Sequence, residues 1–200
     1  MVRTAACLGR RARGRKPLPA LLFFTDPART PEPERQAEAL PRGSAIIFRA
    51  FGAADALQRG LRLRAVARRR RLKLIVGADA RLAAALGADG VHLPQRLAHH
   101  ARRLKAARPG WVVTAAAHGP RAAQRVARLG ADAVVISTAF PSRSPSAGAP
   151  LGAMALSRLA RRLPTPLYAL GGVNDKTARR LLDAGLVGLA TVEGVETPRT

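Results

Sequence analysis

The phrase Gly87-Ala88-Asp89-Gly90-Val91-His92-Leu93-Pro94-Gln95 constrains the fold more than any other stretch of this chain. It follows the helical run Arg81 to Leu86 and reads as a helix end, a glycine through which the backbone leaves the helix, and a short buried strand that finishes on polar groups. The same joint returns at Leu129-Gly130-Ala131-Asp132-Ala133-Val134-Val135-Ile136, and more loosely at Ala184-Gly185-Leu186-Val187-Gly188-Leu189-Ala190-Thr191. One joint in three copies implies a repeated αβ unit. The architecture that such a unit builds is a closed parallel barrel with its working groups at the strand C-termini.

Read in order, the chain supplies the remaining parts. Apolar runs at Leu21 to Thr25, Ala45 to Arg49, Leu72 to Val76, Trp111 to Ala115, Leu167 to Leu170 and Val187 to Val192 join the strands at Gly90 and Ala133 to make eight. Between them lie helical segments, among them Ala53 to Arg71, whose Leu57, Leu61 and Ala65 recur at four-residue spacing and are expected to face the barrel. The Arg68 to Arg71 run falls at the end of that helix, where cations are favoured. Asn174 or Asp175 can cap a helix over Thr177 to Ala184. Residues 140 to 150 hold three prolines and a glycine and are expected to form a long loop.

The expected fold is therefore α/β, a single-domain (βα)8 TIM barrel over residues 21–195. A tail covers 196–200, and the short stretch after the last strand leaves the eighth helix truncated or absent. Residues 1–20, basic and interrupted by Gly9, Gly14, Pro17 and Pro19, are expected to form a disordered or weakly helical arm. That arm lacks the long apolar core of a signal peptide.

Two hundred residues carry a net charge of +23, nearly all from arginine, which reflects either the composition of an Arg- and Ala-rich proteome or attraction to partners that bear phosphate. Aromatic residues are scarce and no zinc-finger, RNP or helix-turn-helix signature is present, which argues against a dedicated nucleic-acid module. Cys7 is the sole cysteine, so no intrachain disulfide can form and a reducing, cytoplasmic setting is the expectation. No apolar run approaches the roughly 18 residues of a membrane span.

The polar groups at the strand ends are the candidate site. Arg49 closes the second strand, where a charge belongs in the barrel mouth rather than in its wall. His92 and Gln95 follow from the fourth strand. His118 lies after the small residues Ala115-Ala116-Ala117, with room for a ligand, and imidazole is the side chain whose protonation changes nearest neutral pH. Ser142 and Ser144 belong to the long loop. Gly171, Gly172, Thr191 and Val192 follow the seventh and eighth strands, where such barrels hold phosphate on backbone N–H groups. No spacing of His, Cys and carboxylates suggests a tight metal site.

These stretches, in this order, resemble the thiamine phosphate synthase and thiazole tautomerase family, a family of (βα)8 barrels. The likeness rests on Leu22-Phe23-Phe24-Thr25-Asp26, Gly87 to Gln95, Phe140-Pro141-Ser142-Arg143-Ser144 with Pro150-Leu151-Gly152, and Ala169-Leu170-Gly171-Gly172-Val173, and it covers residues 21 to 195. The resemblance implies that Arg49 contacts a diphosphate, that His92, Gln95, Ser142 and Ser144 line the substrate, and that Gly171 and Gly172 hold a thiazole phosphate. The synthases join a pyrimidine diphosphate to a thiazole phosphate with Mg²⁺. Here the family's Gln before the strand-two Arg and Lys after it are Ile47 and Phe51, and its Asn-Asp pair is Gly77-Ala78, with Asp79 one place on. Its second metal-binding Asp is Leu97, its loop Lys is Pro145, and a Ser near the last phosphate site is Glu193.

The tautomerase branch also lacks the pyrimidine apparatus and uses a His after the fifth strand as acid and base, a position that His118 matches. The leading expectation is a metal-independent thiazole tautomerase with no cofactor. The alternatives are a divergent Mg²⁺-dependent thiamine phosphate synthase, a non-catalytic phosphate-ester-binding barrel, and a basic nucleic-acid binder. The expected partner is a small thiazole phosphate, with homo-oligomerisation left open.

Overall fold

The computed structural model describes residues 1–11, 17–142, 144 and 147–193. The tail over 196–200 and Pro145 lie outside the described residues. Eight parallel strands close into a ring in chain order: β1 Leu21–Phe24, β2 Ala45–Phe48, β3 Lys73–Gly77, β4 Gly90–Leu93, β5 Val112–Ala117, β6 Ala133–Ile136, β7 Leu167–Ala169 and β8 Gly188–Thr191. The closing pair sets Leu21 to Phe23 of β1 beside Leu189 to Thr191 of β8. This is the expected (βα)8 barrel, and among the described residues no helix follows β8. Among the described residues no helix is long and apolar enough to cross a membrane.

The two-residue period of the strands divides the core in two. Leu22, Phe24, Ala45, Ile47, Ile75, Val112, Ala133, Val135, Tyr168 and Ala190 fill the inside of the ring. Their neighbours in sequence, such as Phe23, Ile46, Leu74, Val91 and Val113, pack outward under the helices. Tyr168 is accommodated in the ring because Gly188 faces it, where a Cβ would stand 2.7 Å from Tyr168 Cε1, and its hydroxyl donates to the Pro19 carbonyl. His92, two residues after Gly90, and Thr114, two after Val112, fall on the inward period near the top of the ring.

The repeated Gly-Ala-Asp joint has a mechanical role. Gly87, at φ +56°, takes the chain out of α4 (Ala80–Ala85). Asp89 Oδ2 then accepts the backbone N–H of Leu74 in β3 at 2.8 Å and a bond from Arg64 Nη1 at 2.7 Å. The second copy does the same one unit on. Asp132 Oδ2 accepts the N–H of Val113 in β5 at 2.8 Å and pairs with Lys105 Nζ at 3.1 Å. Each aspartate thus clips the strand it introduces to the start of the strand before it, and to a cation on the helix that leads into that earlier strand. The looser third copy has buried Leu186 instead.

Two expectations need correction. The arm expected to be disordered or weakly helical is a packed helix over Val2–Arg11, α1, whose Ala5 and Leu8 are only 2% and 1% exposed. It packs on β8 and β1 and touches α8 (Asp175–Arg179). It therefore covers the seam between the last and first strands, where the eighth outer helix of such a barrel would lie. The physical reason is that Met1, Ala5 and Leu8 form an apolar stripe at helical spacing, while Gly9 admits Ala20, which a Cβ would meet at 2.8 Å. The second correction concerns α3 (Ala56–Arg70). Its inward face is Gly60, Leu63, Val66 and Ala67, leaving Leu57, Leu61 and Ala65 exposed. Gly60 selects that face by letting the helix approach Leu86, whose Cδ1 would lie 2.4 Å from an added Cβ.

Smaller shifts are local. Arg68 to Arg70 do end α3, and Arg69 and Arg70 both pair with Glu38. Asn174 caps α8 through a reciprocal box with Thr177, so that helix starts and stops earlier than its apolar pattern suggests.

Candidate functional site

The C-terminal ends of the strands open into a cavity of about 820 Å³. Arg49, His92, His118, Ser142, Ser144, Gly171 and Val192 all line it. Gly172 and Thr191 line a smaller recess that shares Ser142, Gly171 and Val192 with the main cavity. Among the anticipated residues Gln95 differs. It lines neither space, and its Oε1 instead accepts the backbone N–H of His118 at 2.8 Å. Gln95 thus positions the loop that carries His118.

His118 follows the last residue of β5, and its Nδ1 stands 2.8 Å from Ser137 Oγ. Nε2 has no protein partner among the described residues, so a ligand in the mouth can meet it. Ser137 is a site residue that the sequence reading passed over. Its signal is its place: it is the first residue after the apolar run of β6.

His92 is the opposite kind of histidine. It is 7% exposed, its ring meets Phe24 edge-on at 5.0 Å, and Nδ1 lies 2.9 Å from Thr114 Oγ1. Burial, aided by the charges of Arg49 and His118, pushes its pKa down to about 3, so the ring is neutral at physiological pH. The folded state therefore refuses a proton that the unfolded chain accepts, and stability falls as pH drops from about 6.5 towards about 3. By pH 5 this one residue is expected to cost about 2 kcal/mol. Urea unfolding at pH 7 and pH 5 measures it as the difference in pH dependence between the wild type and His92→Gln.

Arg49 is held at three points: its N–H donates to Thr25 Oγ1, its Nε to the Thr25 carbonyl at 2.7 Å, and its Nη2 to Asp26 Oδ2 at 3.0 Å. Burial lowers the Arg49 pKa, with Asp26 opposing that shift and Arg29 adding to it. Burial would raise the pKa of Asp26, but the backbone N–H and side chain of Arg29 and the charge of Arg49 hold it below the usual carboxylate range. The Arg49 guanidinium also lies over the rings of Phe24 and Phe51, at 5.7 and 5.1 Å from their centroids.

Gly171 and Gly172 adopt φ +90° and +64°. A Cβ on Gly172 would fall 2.4 Å from the Pro141 carbonyl oxygen and 2.6 Å from that of Phe140. This is a backbone-on-backbone approach open to glycine alone. Neither glycine N–H has a protein acceptor among the described residues, which leaves two amides at the recess for an anion. The hydroxyl of Thr191 donates to the Glu193 carbonyl, so only its backbone is open to such a ligand.

The Mg²⁺ that the family resemblance implies does not fit these donors. Among the described residues Asp79 is the one carboxylate lining the main cavity, and its Oδ1 accepts the Leu82 N–H as the cap of α4. Asp26 bridges Arg29 and Arg49. No group of three or more His, Cys, Asp or Glu among the described residues could hold an ion. Mg²⁺ is held by one or two carboxylates together with substrate phosphates, and among the described residues the main cavity offers it only Asp79, whose Oδ1 already serves the helix cap.

Comparison with known proteins gives the family. A family model described as thiamine monophosphate synthase matches residues 21–195. The thiamine-phosphate synthase of Alcanivorax borkumensis is 30% identical over 189 residues, covering 89% of this chain and 85% of the relative. The thiamine biosynthesis bifunctional protein ThiED of Geobacter sulfurreducens is 30% identical over 136 residues, 68% of this chain, and the match spans 28% of that longer relative. Among solved structures, thiamine phosphate pyrophosphorylase from Pyrococcus furiosus superposes with a TM-score of 0.72 at 26% identity, covering 86% of this chain and 84% of the other. The chain belongs to the thiamine monophosphate synthase family.

Proposed function

We propose that this protein acts in thiamine biosynthesis, in the cytoplasm, as a metal-independent thiazole tautomerase. The observation that carries the reading is His118, braced by Ser137 and by Gln95, in a mouth that offers open amides and guanidinium groups but no carboxylate set for a metal. The phosphate of a thiazole carboxylate phosphate sits on the amides of Gly171 and Gly172 and the backbone at Thr191 and Val192, with Ser142 and Ser144 at the loop side. Arg49 holds the carboxylate. His118 Nε2 takes a proton from one ring carbon and returns one to the carbon at the other end of the shifted double bond, so that the ring becomes aromatic and no electrons are gained or lost. Ser137 fixes the orientation of the imidazole through both halves of the cycle.

Gly172→Ala tests the cradle. The positive φ and the two carbonyl contacts are expected to cost about 1–3 kcal/mol of stability and, by displacing the amides, to raise KM about tenfold. Thermal unfolding and substrate titration read the two effects separately.

A second reading, a thiamine phosphate synthase, draws on the activities named for the relatives and on the retention of Arg49. An assay offering thiazole carboxylate phosphate alone, and then with pyrimidine diphosphate and Mg²⁺, separates the two. The proposed reading requires conversion in EDTA with the thiazole alone. Coupling that appears only with both additions would replace it by the second.

A further inference from the structure

The charge of this chain is unevenly spread over its outer layer. On α2 (Pro33–Glu38) and α3, arginines are matched by carboxylates: Arg62 pairs with Glu34, Arg69 and Arg70 with Glu38, and Arg59 with Asp55. From Gly90 to Ala131, by contrast, no aspartate or glutamate occurs. That span holds the 3₁₀ turn over Gln95–His100, α5 (Ala101–Ala107) and α6 (Pro120–Val126), and its arginines make no ion pair among the described residues. Where α6 packs against the 3₁₀ turn, outside the barrel mouth, the surface folds into a groove of about 830 Å³ lined by Gln95, Arg121, Gln124, Arg125, Arg128 and Leu129.

Arg121, Arg125 and Arg128 are all exposed and stand four and then three residues apart. They therefore share one side of α6 and of the turn that ends it, above the buried Ala122 and Val126. At about 1.5 Å of rise per residue, the first two lie about 6 Å apart along the helix, close to the step between successive phosphates of an extended strand. Arg102 of α5 reaches the Arg128 carbonyl at 3.5 Å and brings a fourth guanidinium to that end of the groove. Like charges in such a row repel unless a polyanion lies along them. An acidic protein segment would also need a pocket for an apolar or aromatic anchor, and the groove offers only the half-buried Leu129. Neighbouring helices pack about 8–10 Å apart, a spacing that admits a single strand and not a duplex. We propose that this groove binds the phosphodiester backbone of single-stranded nucleic acid, RNA and DNA alike. No aromatic side chain lines it for a base to stack on, so the binding is electrostatic and independent of sequence. The inference stands apart from the chemistry of His118, since none of these arginines lines the mouth.

The test is fluorescence anisotropy of a labelled, mixed-sequence RNA single strand of about 12 nucleotides, titrated with the full chain between about 50 and 200 mM salt. Saturable binding is expected, with a log–log salt slope of about −2 or steeper, as three phosphate contacts on a single strand require. Arg121→Ala/Arg125→Ala/Arg128→Ala is expected to weaken binding about tenfold or more at about 100 mM salt and to flatten the slope by about 2. The control Arg3→Ala/Arg42→Ala/Arg68→Ala removes the same charge from exposed positions elsewhere and should cost about twofold or less. A DNA strand of the same sequence should bind within about threefold of the RNA, and the duplex more weakly than either. Unchanged unfolding temperatures in both triple variants exclude a folding defect. Equal weakening in the two triple variants, tighter binding of the duplex than of the single strand, or tighter binding of poly-glutamate of equal charge would each overturn the site.

Discussion

Replacing His118 with alanine is expected to lower kcat for thiazole tautomerisation by about a thousandfold, within the range that a positioned acid-base group contributes. KM should stay within about threefold, because the phosphate and carboxylate contacts assigned to Gly171, Gly172 and Arg49 are left in place. The side chain is exposed and its backbone N–H bond to Gln95 survives the change, so folding is unaffected. Ser137→Ala is expected to act through the imidazole and cost about tenfold in kcat, with a displaced pH-rate profile. A Ser137 that served only the fold would lower stability without moving that profile. Steady-state kinetics of both variants across pH 5 to 9 decides the matter, and a His118→Ala enzyme turning over at the wild-type rate would remove the assignment.

The largest expected effect on stability lies at the opposite end of the sequence. Leu8 of α1 is 1% exposed and belongs to the same core as the outward faces of β1 and β8. Leu8→Asp both empties that position and buries a carboxylate without a partner, and is expected to cost about 3 to 5 kcal/mol. Arg3→Ala, on the exposed side of the same helix, should change stability by less than about 0.5 kcal/mol. Urea unfolding measures both. If the two variants were equally stable, α1 would not be covering the seam between the last and first strands.

What was legible in the sequence and what was not have separate physical causes. The barrel is readable because the joint at Asp89 and Asp132 is a repeated short phrase: a glycine, an aspartate and an apolar run stand within a few residues of each other, although the aspartate bonds themselves reach back 15 and 19 residues to the preceding strand. Arg49, His92, His118, Gly171 and Gly172 are readable for a related reason, since each stands at the end of an apolar strand and the closed ring brings all strand ends to one mouth. The failures are non-local. Which stripe of α3 turns inward depends on Gly60 meeting Leu86, a contact outside the helix, and four-residue spacing alone chose the exposed Leu57 and Leu61.

The same holds for α1, whose glycine reads as a helix breaker until Ala20 is placed beside it. Gln95 looks like a ligand-facing group by its distance from β4, yet the 3₁₀ turn over Gln95–His100 turns it towards the His118 backbone. Ser137 was hidden because nothing about a lone serine announces a histidine 19 residues earlier.

The measurement that bears most directly on this protein's chemistry is incubation of thiazole carboxylate phosphate with the enzyme in D₂O containing EDTA, followed by NMR. The aromatic product should form at the rate seen with Mg²⁺ and carry deuterium on the carbon that receives the proton, and His118→Ala should abolish both signals. Product that forms only when Mg²⁺ is restored, or deuterium incorporation undiminished in His118→Ala, would contradict a histidine moving the proton in a mouth that uses no metal.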